Sequence, residues 1–174
     1  YHPTTMAVWT RSNIPVIIYS PDRWDNYHST NPYILLENDK YKVWYTGNGG
    51  PGWRIGYGTS DDGINWPSSS LQKTSILNPS GWEQHITQAV VRHEDSTYKV
   101  WYSALTGDTA KLGYATSIDG ITNWSMNPDP IFSGIHGKWD ERVTDRGLSI
   151  IKVGSLYHLW YAASNSDINW RIGY

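Results

Sequence analysis

The sequence predicts an all-β fold made of β-propeller blades, each with four antiparallel strands, and about three repeats in the chain. The main evidence is a phrase that occurs three times, as YKVWY at 41–45, YKVWY at 98–102 and YHLWY at 157–161. Its tryptophans, Trp44, Trp101 and Trp160, are 57 and 59 residues apart. A repeat of about 40 to 50 residues with strand-like content is typical of a propeller. No segment has the apolar periodicity of an amphipathic helix.

Each repeat begins with a tryptophan followed by an acidic residue, and a threonine comes five or six residues later. A first strand, a turn, the Tyr-Trp-Tyr strand, a loop and a strand containing Gly-Tyr then follow. The alternation of apolar and polar residues in these runs is typical of β-strands. The pairs are Trp24-Asp25, Trp82-Glu83 and Trp139-Asp140, and the threonines are Thr30, Thr87 and Thr144.

Two of the repeats close with an Asp-Gly turn, shortly before Trp66 and Trp124. Asp-Gly between two strands predicts a hairpin, because glycine accepts a positive φ and the aspartate caps its own turn. Asp62 and Asp119 are therefore interpreted as turn formers rather than as catalytic acids.

We interpret residues 1–174 as one propeller domain, and residues 1–9 are expected to supply a fourth strand. Trp9 lies 57 residues before Trp66, where the closing tryptophan of such a strand belongs. Three blades do not close a ring, since propellers have about four to eight. The chain is therefore expected to be half of a six-bladed ring closed by a homodimer, which we favour, or a fragment of a five-bladed propeller. The repeats are about 10–66, 67–124 and 125–174.

The composition argues against several classes of protein. The formal net charge is −2 and only 17% of the residues are charged, so neither nucleic acid nor an acidic membrane surface is an expected partner. No run of 18 apolar residues predicts a membrane span, and the absence of cysteine excludes a disulfide scaffold. No signal peptide is visible, and the compartment stays unassigned, although an extracellular or periplasmic location is compatible with the sequence.

The order Tyr-x-x-Trp-Tyr, Ile-Gly-Tyr-x-Thr-Ser and then Asp-Gly-Ile before a tryptophan, as in 41–66, resembles the five-bladed propeller glycosidases of glycoside hydrolase families 43 and 32. The resemblance covers nearly the whole chain, as about three blades. It implies a carbohydrate ligand and three carboxylates at the starts of the innermost strands, which act as nucleophile or base, as general acid and as pKa modulator. It implies no cofactor, and no metal-ligand spacing is found.

At the matching strand starts, two of the three expected carboxylates are replaced by amides. Asn31 and Gln88 stand at the first two starts, and Asp145 at the third. Glycoside hydrolysis needs two carboxylates, and an amide does not exchange a proton near neutral pH. Asp145 is therefore the candidate catalytic residue, whereas Asn31 and Gln88 are candidate ligands for sugar hydroxyls.

Four charged or imidazole side chains near these positions are further candidates for substrate binding. Arg146 adjoins Asp145 and would bind a sugar hydroxyl or keep that acid ionised; alternatively, the two form a solvated ion pair at the channel mouth. His28, His85 and Arg142 occupy equivalent positions upstream of the repeated threonine. They are interpreted as hydrogen-bonding groups around the axis, or as polar caps of strand ends.

Trp53 and Trp170 are candidates for stacking on a sugar ring, while Trp44 and Trp101 are expected to pack between blades. Three functions stay open from the sequence. The first is a sugar-binding propeller with an incomplete catalytic apparatus. The second is a glycoside hydrolase of plant or microbial polysaccharide that is whole only as an oligomer or in a longer parent. The third is a structural or protein-interaction propeller.

Overall fold

The computed structural model describes residues 10–50, 52–72, 75–77, 79, 81–107, 109–165 and 169–174, and the side chains of 109 and 144–146 lie outside this description. The predicted all-β fold is confirmed. Eleven strands are present in the described ranges, with a single turn of 3-10 helix at Ser68–Ser70. The strands are β1 His28–Glu37, β2 Lys40–Gly49, β3 Gly52–Ser60, β4 His85–Glu94, β5 Thr97–Thr106, β6 Thr109–Ser117, β7 Ser125–Met126, β8 Phe132–Ser133, β9 Arg142–Val153, β10 Leu156–Ser164 and β11 Arg171–Gly173.

The strands form three successive antiparallel meanders, which we call blades 1, 2 and 3. Blade 1 has the order β1-β2-β3, blade 2 has β4-β5-β6, and blade 3 has β9-β10-β11. The short strands β7 and β8 pair with the outer edge of β6 and supply the fourth strand of blade 2. One bridging residue pair, Ala110 with Val143, joins the sheets of blades 2 and 3.

An outer segment also covers blade 1. The backbone N–H groups of Gln72 and Ile76 donate to the carbonyl oxygens of Tyr57 and Ile55 on β3. Asn127 and Ile131 make the same two bonds to β6 in blade 2. In both blades this segment follows the closing tryptophan in the chain. Residues 1–9, which the sequence predicts as a fourth strand, lie outside the described residues.

The repeated Trp-acid, Tyr-Trp-Tyr and Gly-Tyr phrases meet inside each blade. The last tyrosine of the Tyr-Trp-Tyr strand donates its hydroxyl to the buried acid, and its ring stacks on the tryptophan that precedes this acid. The three pairs are Tyr45 with Asp25, Tyr102 with Glu83, and Tyr161 with Asp140. A buried tyrosine hydroxyl needs such a partner, so the acid of the repeated pair is part of the interior of the blade.

The glycine of each Gly-Tyr phrase lies under the same tyrosine ring, because the two residues are directly opposite in the β-ladder. A Cβ on Gly56 would lie 2.6 Å from the ring of Tyr45. Gly113 and Gly173 lie equally close under Tyr102 and Tyr161. The repeated glycine is therefore explained by its close approach to the tyrosine ring, and the repeated acid by its hydrogen bond from the tyrosine hydroxyl.

Between the blades lie two hydrophobic interfaces. Trp44 and Ile55 of blade 1 pack with Val91 and Val100 of blade 2 in one buried cluster. A second cluster joins blades 2 and 3 and contains Trp101. Burial of this apolar surface supplies most of the favourable free energy of such contacts. The prediction that Trp44 and Trp101 pack between blades is confirmed.

Candidate funnel site

The first strands of the three blades, β1, β4 and β9, lie next to each other in this order, and we call the depression between them the funnel. A cavity of 280 Å³ opens between them. Its lining residues come from all three strands: Asn31, Pro32 and Tyr33, Gln88, Ala89 and Val90, and Leu148, Ser149 and Ile150. The structure therefore brings Asn31 and Gln88 to one cavity, as the sequence predicts.

Asn31 stands at an irregularity of β1, where the pairing with β2 shifts between Thr30 and Tyr33. Its φ is 47°, in the left-handed region that asparagine tolerates better than most residues. The side-chain Nδ2 donates to the carbonyl oxygen of Thr87 in blade 2 at 2.9 Å, and Thr46 Oγ1 donates to the same oxygen at 2.8 Å. Asn31 thus connects blade 1 to blade 2 across the funnel end of their interface.

Gln88 connects blade 2 to blade 3 with the opposite hydrogen-bond polarity. Its Oε1 accepts from the backbone N–H groups of Gly147 at 2.8 Å and Leu148 at 3.1 Å. The Nε2 of Gln88 also donates to the carbonyl oxygen of Leu148, at the long distance of 3.5 Å. Gln88 therefore acts mainly as an acceptor across the second interface, whereas the amide of Asn31 is a donor across the first. Both side chains therefore have structural partners at the place where the sequence predicts sugar contacts.

Asp145 and Arg146 lie in β9, and their side chains are outside the described residues. The backbone register nevertheless distinguishes this strand from its counterparts. Between Val143 and Ser149 blade 3 has five residues, whereas blades 1 and 2 have three at the corresponding irregularity. Counted from the Tyr-Trp-Tyr strand, the counterpart of Gln88 in blade 3 is Gly147; counted from the repeated threonine, it is Asp145.

His28, at the start of β1, and Trp53, near the start of β3, stack on each other. Their ring centroids are 5.6 Å apart and the rings are inclined by 11°. His28 is exposed and Trp53 half-buried. Both strands belong to the same blade. The two side chains that the sequence predicts as separate contacts to a sugar therefore form one aromatic surface.

His85 lies at the first interface rather than beside His28. Its ring packs over Gly52, where an added Cβ would lie 2.6 Å away. Its Nδ1 is buried and has no hydrogen-bond partner among the described residues. Nearby, Arg54 donates to the carbonyl oxygen of Gln84 at 2.7 Å, and burial lowers the pKa of its guanidinium.

The remaining two candidates lie in blade 3. Arg142 is exposed at the start of β9, and Trp170 is 57% exposed just before β11. Trp170 has no aromatic neighbour comparable to His28 among the described residues.

The opposite end of the interfaces contains polar clusters that sequence reasoning missed. At the first interface, Tyr98 of blade 2 donates to Glu37 and contacts Lys42 of blade 1, both at 2.5 Å. At the second interface, Tyr157 donates to Glu94 at 2.5 Å and accepts from Lys99 at 2.8 Å. The signal was available, because Glu37 and Glu94, like Lys42 and Lys99, are 57 residues apart.

A further basic side chain completes each of these clusters. His93 lies 3.0 Å from Glu37, and Lys152 lies 2.8 Å from Glu94. Burial alone would raise the pKa of Glu94, but hydrogen bonds from Lys152, Tyr157 and Arg92 outweigh it and lower the pKa to about 2. Lys42 and Tyr98 hold the pKa of Glu37 below its ordinary value in the same way, against the effect of its burial.

Within the described ranges, no group of three His, Asp or Glu side chains is arranged as metal ligands. In the same residues, the structure contains no helix with the length and hydrophobicity of a bilayer span.

Comparisons with known proteins place this geometry among glycoside hydrolase-like folds. The family 117 glycoside hydrolase Zg3597 of Zobellia galactanivorans superposes with a TM-score of 0.70 at 19% identity, covering 93% of this chain and 55% of that one. An endo-1,4-β-xylanase of Bacteroides thetaiotaomicron has a TM-score of 0.65 at 15% identity, covering 88% of this chain and 53% of that one. The family 32 β-fructofuranosidase BmSUC1 of Bombyx mori has 0.63 at 12%, covering 84% and 33%.

No protein-family model matches the chain. Two curated sequences of Mycobacterium tuberculosis, the uncharacterized proteins MT1551 and Rv1502, are each 26% identical over 139 residues. These matches cover 74% of this chain and 44% of each relative, so the chain spans less than half of the relatives' length. The comparisons confirm the predicted glycosidase-like fold.

Proposed function

We propose that this chain binds carbohydrate in the funnel and that its catalytic apparatus is incomplete. The observation that carries the proposal is the state of the two funnel amides. Asn31 and Gln88 stand where the glycosidase resemblance implies carboxylates, and both are held by backbone groups of the neighbouring blade. An amide fixed in this way supports binding and positioning but not proton transfer.

The funnel has groups suited to a sugar. Asn31 uses its Nδ2 in the interface, and its Oδ1 accepts no hydrogen bond from the described residues. The ring pair of His28 and Trp53 offers a flat surface, and amphipathic rings of this kind pack on the apolar face of a sugar. The cavity of 280 Å³ lies just below the usual range of ligand sites, about 300 to 1,000 Å³, which favours a small ligand such as a single sugar unit.

A second candidate is a glycoside hydrolase that is complete only in a larger assembly. It is supported by the coverage of the solved structures, since the chain spans 53 to 55% of the family 117 enzyme and the xylanase. In that case Asp145 is one of the required carboxylates and the others come from further blades. These blades belong to a second copy in a six-bladed ring, or to a longer five-bladed parent of which the chain is about three blades.

Glycan binding tests the first proposal directly. We expect members of a panel of neutral and acidic oligosaccharides to raise the Tm of the chain, and Trp53→Ala to weaken the best ligand about tenfold, as expected for one lost stacking contact. His93→Ala is the matched control, because His93 lies at the far end of β4. If no glycan in the panel raises the Tm or binds by calorimetry, the chain is a structural propeller instead.

Hydrolysis of the same panel separates the two candidates. The binding proposal expects no release of reducing sugar by the chain. Release that Asp145→Asn abolishes would support the hydrolase, and release that survives Asp145→Asn would remove this residue from the catalytic site.

A further inference from the structure

Two of the blade faces have no neighbouring blade among the described residues, and we call them the free faces. We call the face that meets the next blade the leading face, and the opposite one the trailing face. Blades 1 and 2, and blades 2 and 3, meet leading face to trailing face. The leading face of blade 3 and the trailing face of blade 1 meet no blade among the described residues, and their residues can be compared with those at the two interfaces that exist.

A contact between an acid and a basic side chain recurs at the same position of both existing interfaces. Glu37 on the leading face of blade 1 meets His93 at 3.0 Å, and Glu94 on the leading face of blade 2 meets Lys152 at 2.8 Å. The two acids occupy the same register position, the last residue of the inner strand before the turn. His93 and Lys152 occupy the position one residue earlier.

On the two free faces both members of this pair are apolar. The register position of the acid holds Val153 in blade 3, and the register position of the basic residue holds Leu36 in blade 1. They are 56% and 60% exposed. If only one had changed, a charge would face an apolar side chain; since both have changed, the two faces match each other.

The aromatic contacts are incomplete in a complementary way. Trp44 contacts Tyr57 of its own blade and Tyr98 of the next, at 5.2 and 5.8 Å. In blade 3, Trp160 contacts Tyr174 of its own blade at 5.2 Å, and the ring of a following blade is missing within the described residues. On the trailing face of blade 1, Tyr41 occupies the position of Tyr98.

The trailing face of blade 1 also contains an unfilled place for this tryptophan. At the first interface, Trp44 Nε1 donates to the carbonyl oxygen of Gly120 in the Asp-Gly turn at 3.0 Å. The counterpart of Gly120 in blade 1 is Gly63, which lines an apolar cavity of 190 Å³ together with Val43 and Trp66 and with Val16 and Ile17 of the segment that precedes blade 1. The carbonyl of Gly63 accepts Trp66 Nε1 at 3.1 Å and has a second lone pair for another donor.

We propose that the occupant of each free face is a second copy of this chain, bound with the leading face of its blade 3 against the trailing face of blade 1. Trp160 of one copy enters the cavity beside Gly63 of the other, and Val153 packs on Leu36. Two such contacts close a ring of two copies. The proposal concerns assembly and does not rest on carbohydrate binding, so the failure of a glycan panel leaves it standing.

Sedimentation of the chain at micromolar concentration tests the proposal. We expect the mass of two chains for the natural sequence. Val153→Glu and Leu36→Lys each place a lone charge in the contact, and each is expected to give the mass of one chain, because burying an unpaired charge in an apolar contact opposes association. Both positions are exposed in the single chain, so folding is preserved, as circular dichroism checks. Ile118→Glu, at a turn with 78% exposure, is the control and stays a dimer.

Restoration of the pair gives the sharper measurement. The double variant Val153→Glu/Leu36→Lys rebuilds the contact between an acid and a basic side chain that the other interfaces contain, and it is expected to dimerise again. An equimolar mixture of the two single variants is expected to form a mixed dimer, with one Glu-Lys contact and one Val-Leu contact.

Three outcomes would overturn the proposal. A natural chain with the mass of one chain would show that the faces are covered by something else, including the chain's own segment around Ile17, which packs on blade 1. Single variants that remain dimeric would place the contact elsewhere. A double variant that stays monomeric would mean that residues 36 and 153 do not face each other.

Discussion

The interiors of the blades contain the same contacts in each blade, whereas the contacts at the funnel differ from blade to blade. Inside the blades, the same pairing of a tyrosine hydroxyl with a buried acid occurs three times, as in Tyr45 with Asp25. At the funnel, Asn31 donates across one interface, Gln88 accepts across the next, and β9 has two additional residues. The comparison indicates that the residues repeated inside the blades stabilise each blade, whereas the funnel positions that differ between the blades determine how neighbouring blades join there.

The largest expected effect comes from removing a repeated acid. Asp25 is fully buried and pairs with Arg23 at 2.8 Å, with further hydrogen bonds from Tyr45 and Ser29. Asp25→Ala leaves these donors without their acceptor, so we expect a loss of about 3 to 5 kcal/mol in the free energy of unfolding, measured by urea denaturation. Asp129→Ala, at an exposed residue outside the repeated motif, is the control. A loss of less than about 1 kcal/mol would show that the repeat is not a stability device.

An intermediate effect is expected at the funnel, and it should differ between the two amides. Asn31→Asp replaces the donor to Thr87 by a carboxylate oxygen that repels the carbonyl, with an expected loss of about 1 to 3 kcal/mol. Gln88→Glu keeps an oxygen for the N–H groups of Gly147 and Leu148 and loses only the long 3.5 Å bond from Nε2 to the Leu148 carbonyl, so we expect a smaller loss, about 1 kcal/mol or less. Denaturation of both variants under one set of conditions is the measurement. Equal losses would contradict the opposite polarity of the two contacts.

The smallest effect is expected from Glu94, which repeats in sequence but acts at an interface. Its folded pKa is about 2, below the ordinary value of 4.5, so its contribution is present above pH 4.5 and is lost as the pH falls toward 2. Glu94→Gln should remove this part of the acid dependence, on the order of 1 kcal/mol or less for a pair near solvent. Urea denaturation midpoints of the natural chain and of Glu94→Gln, measured from pH 7 down to about pH 2, test this difference. If the midpoint falls with pH equally in both proteins, Glu94 does not contribute to the acid dependence.

Most of the fold could be predicted from the sequence because the repeat marks residues that each blade needs for itself. The 57-residue spacing of Trp44 and Trp101 locates the strands without any knowledge of contacts. The role of the acid was missed, since Asp25 and Tyr45 are 20 residues apart and meet only when the blade forms.

The funnel could be predicted only in part. Asn31 and Gln88 line one cavity as expected, but their hydrogen bonds go to backbone groups of other blades, which leave no trace in side-chain patterns. The additional residues of β9 explain the ambiguity of Asp145. Because the insertion falls inside an irregular stretch, alignment from either flank gives a different counterpart.

The glycine under each tyrosine ring limits the substitutions that each blade can accept. A side chain at Gly56 would clash with the ring of Tyr45, so both residues would have to change together. A residue without a ring at position 45 would leave the buried Asp25 without the hydroxyl that donates to it. A single substitution of Gly56, Tyr45 or Asp25 is therefore unfavourable unless a second member of this trio changes with it. Differences between the three blades are therefore expected mainly outside the trio, as at the funnel, where neighbouring blades meet.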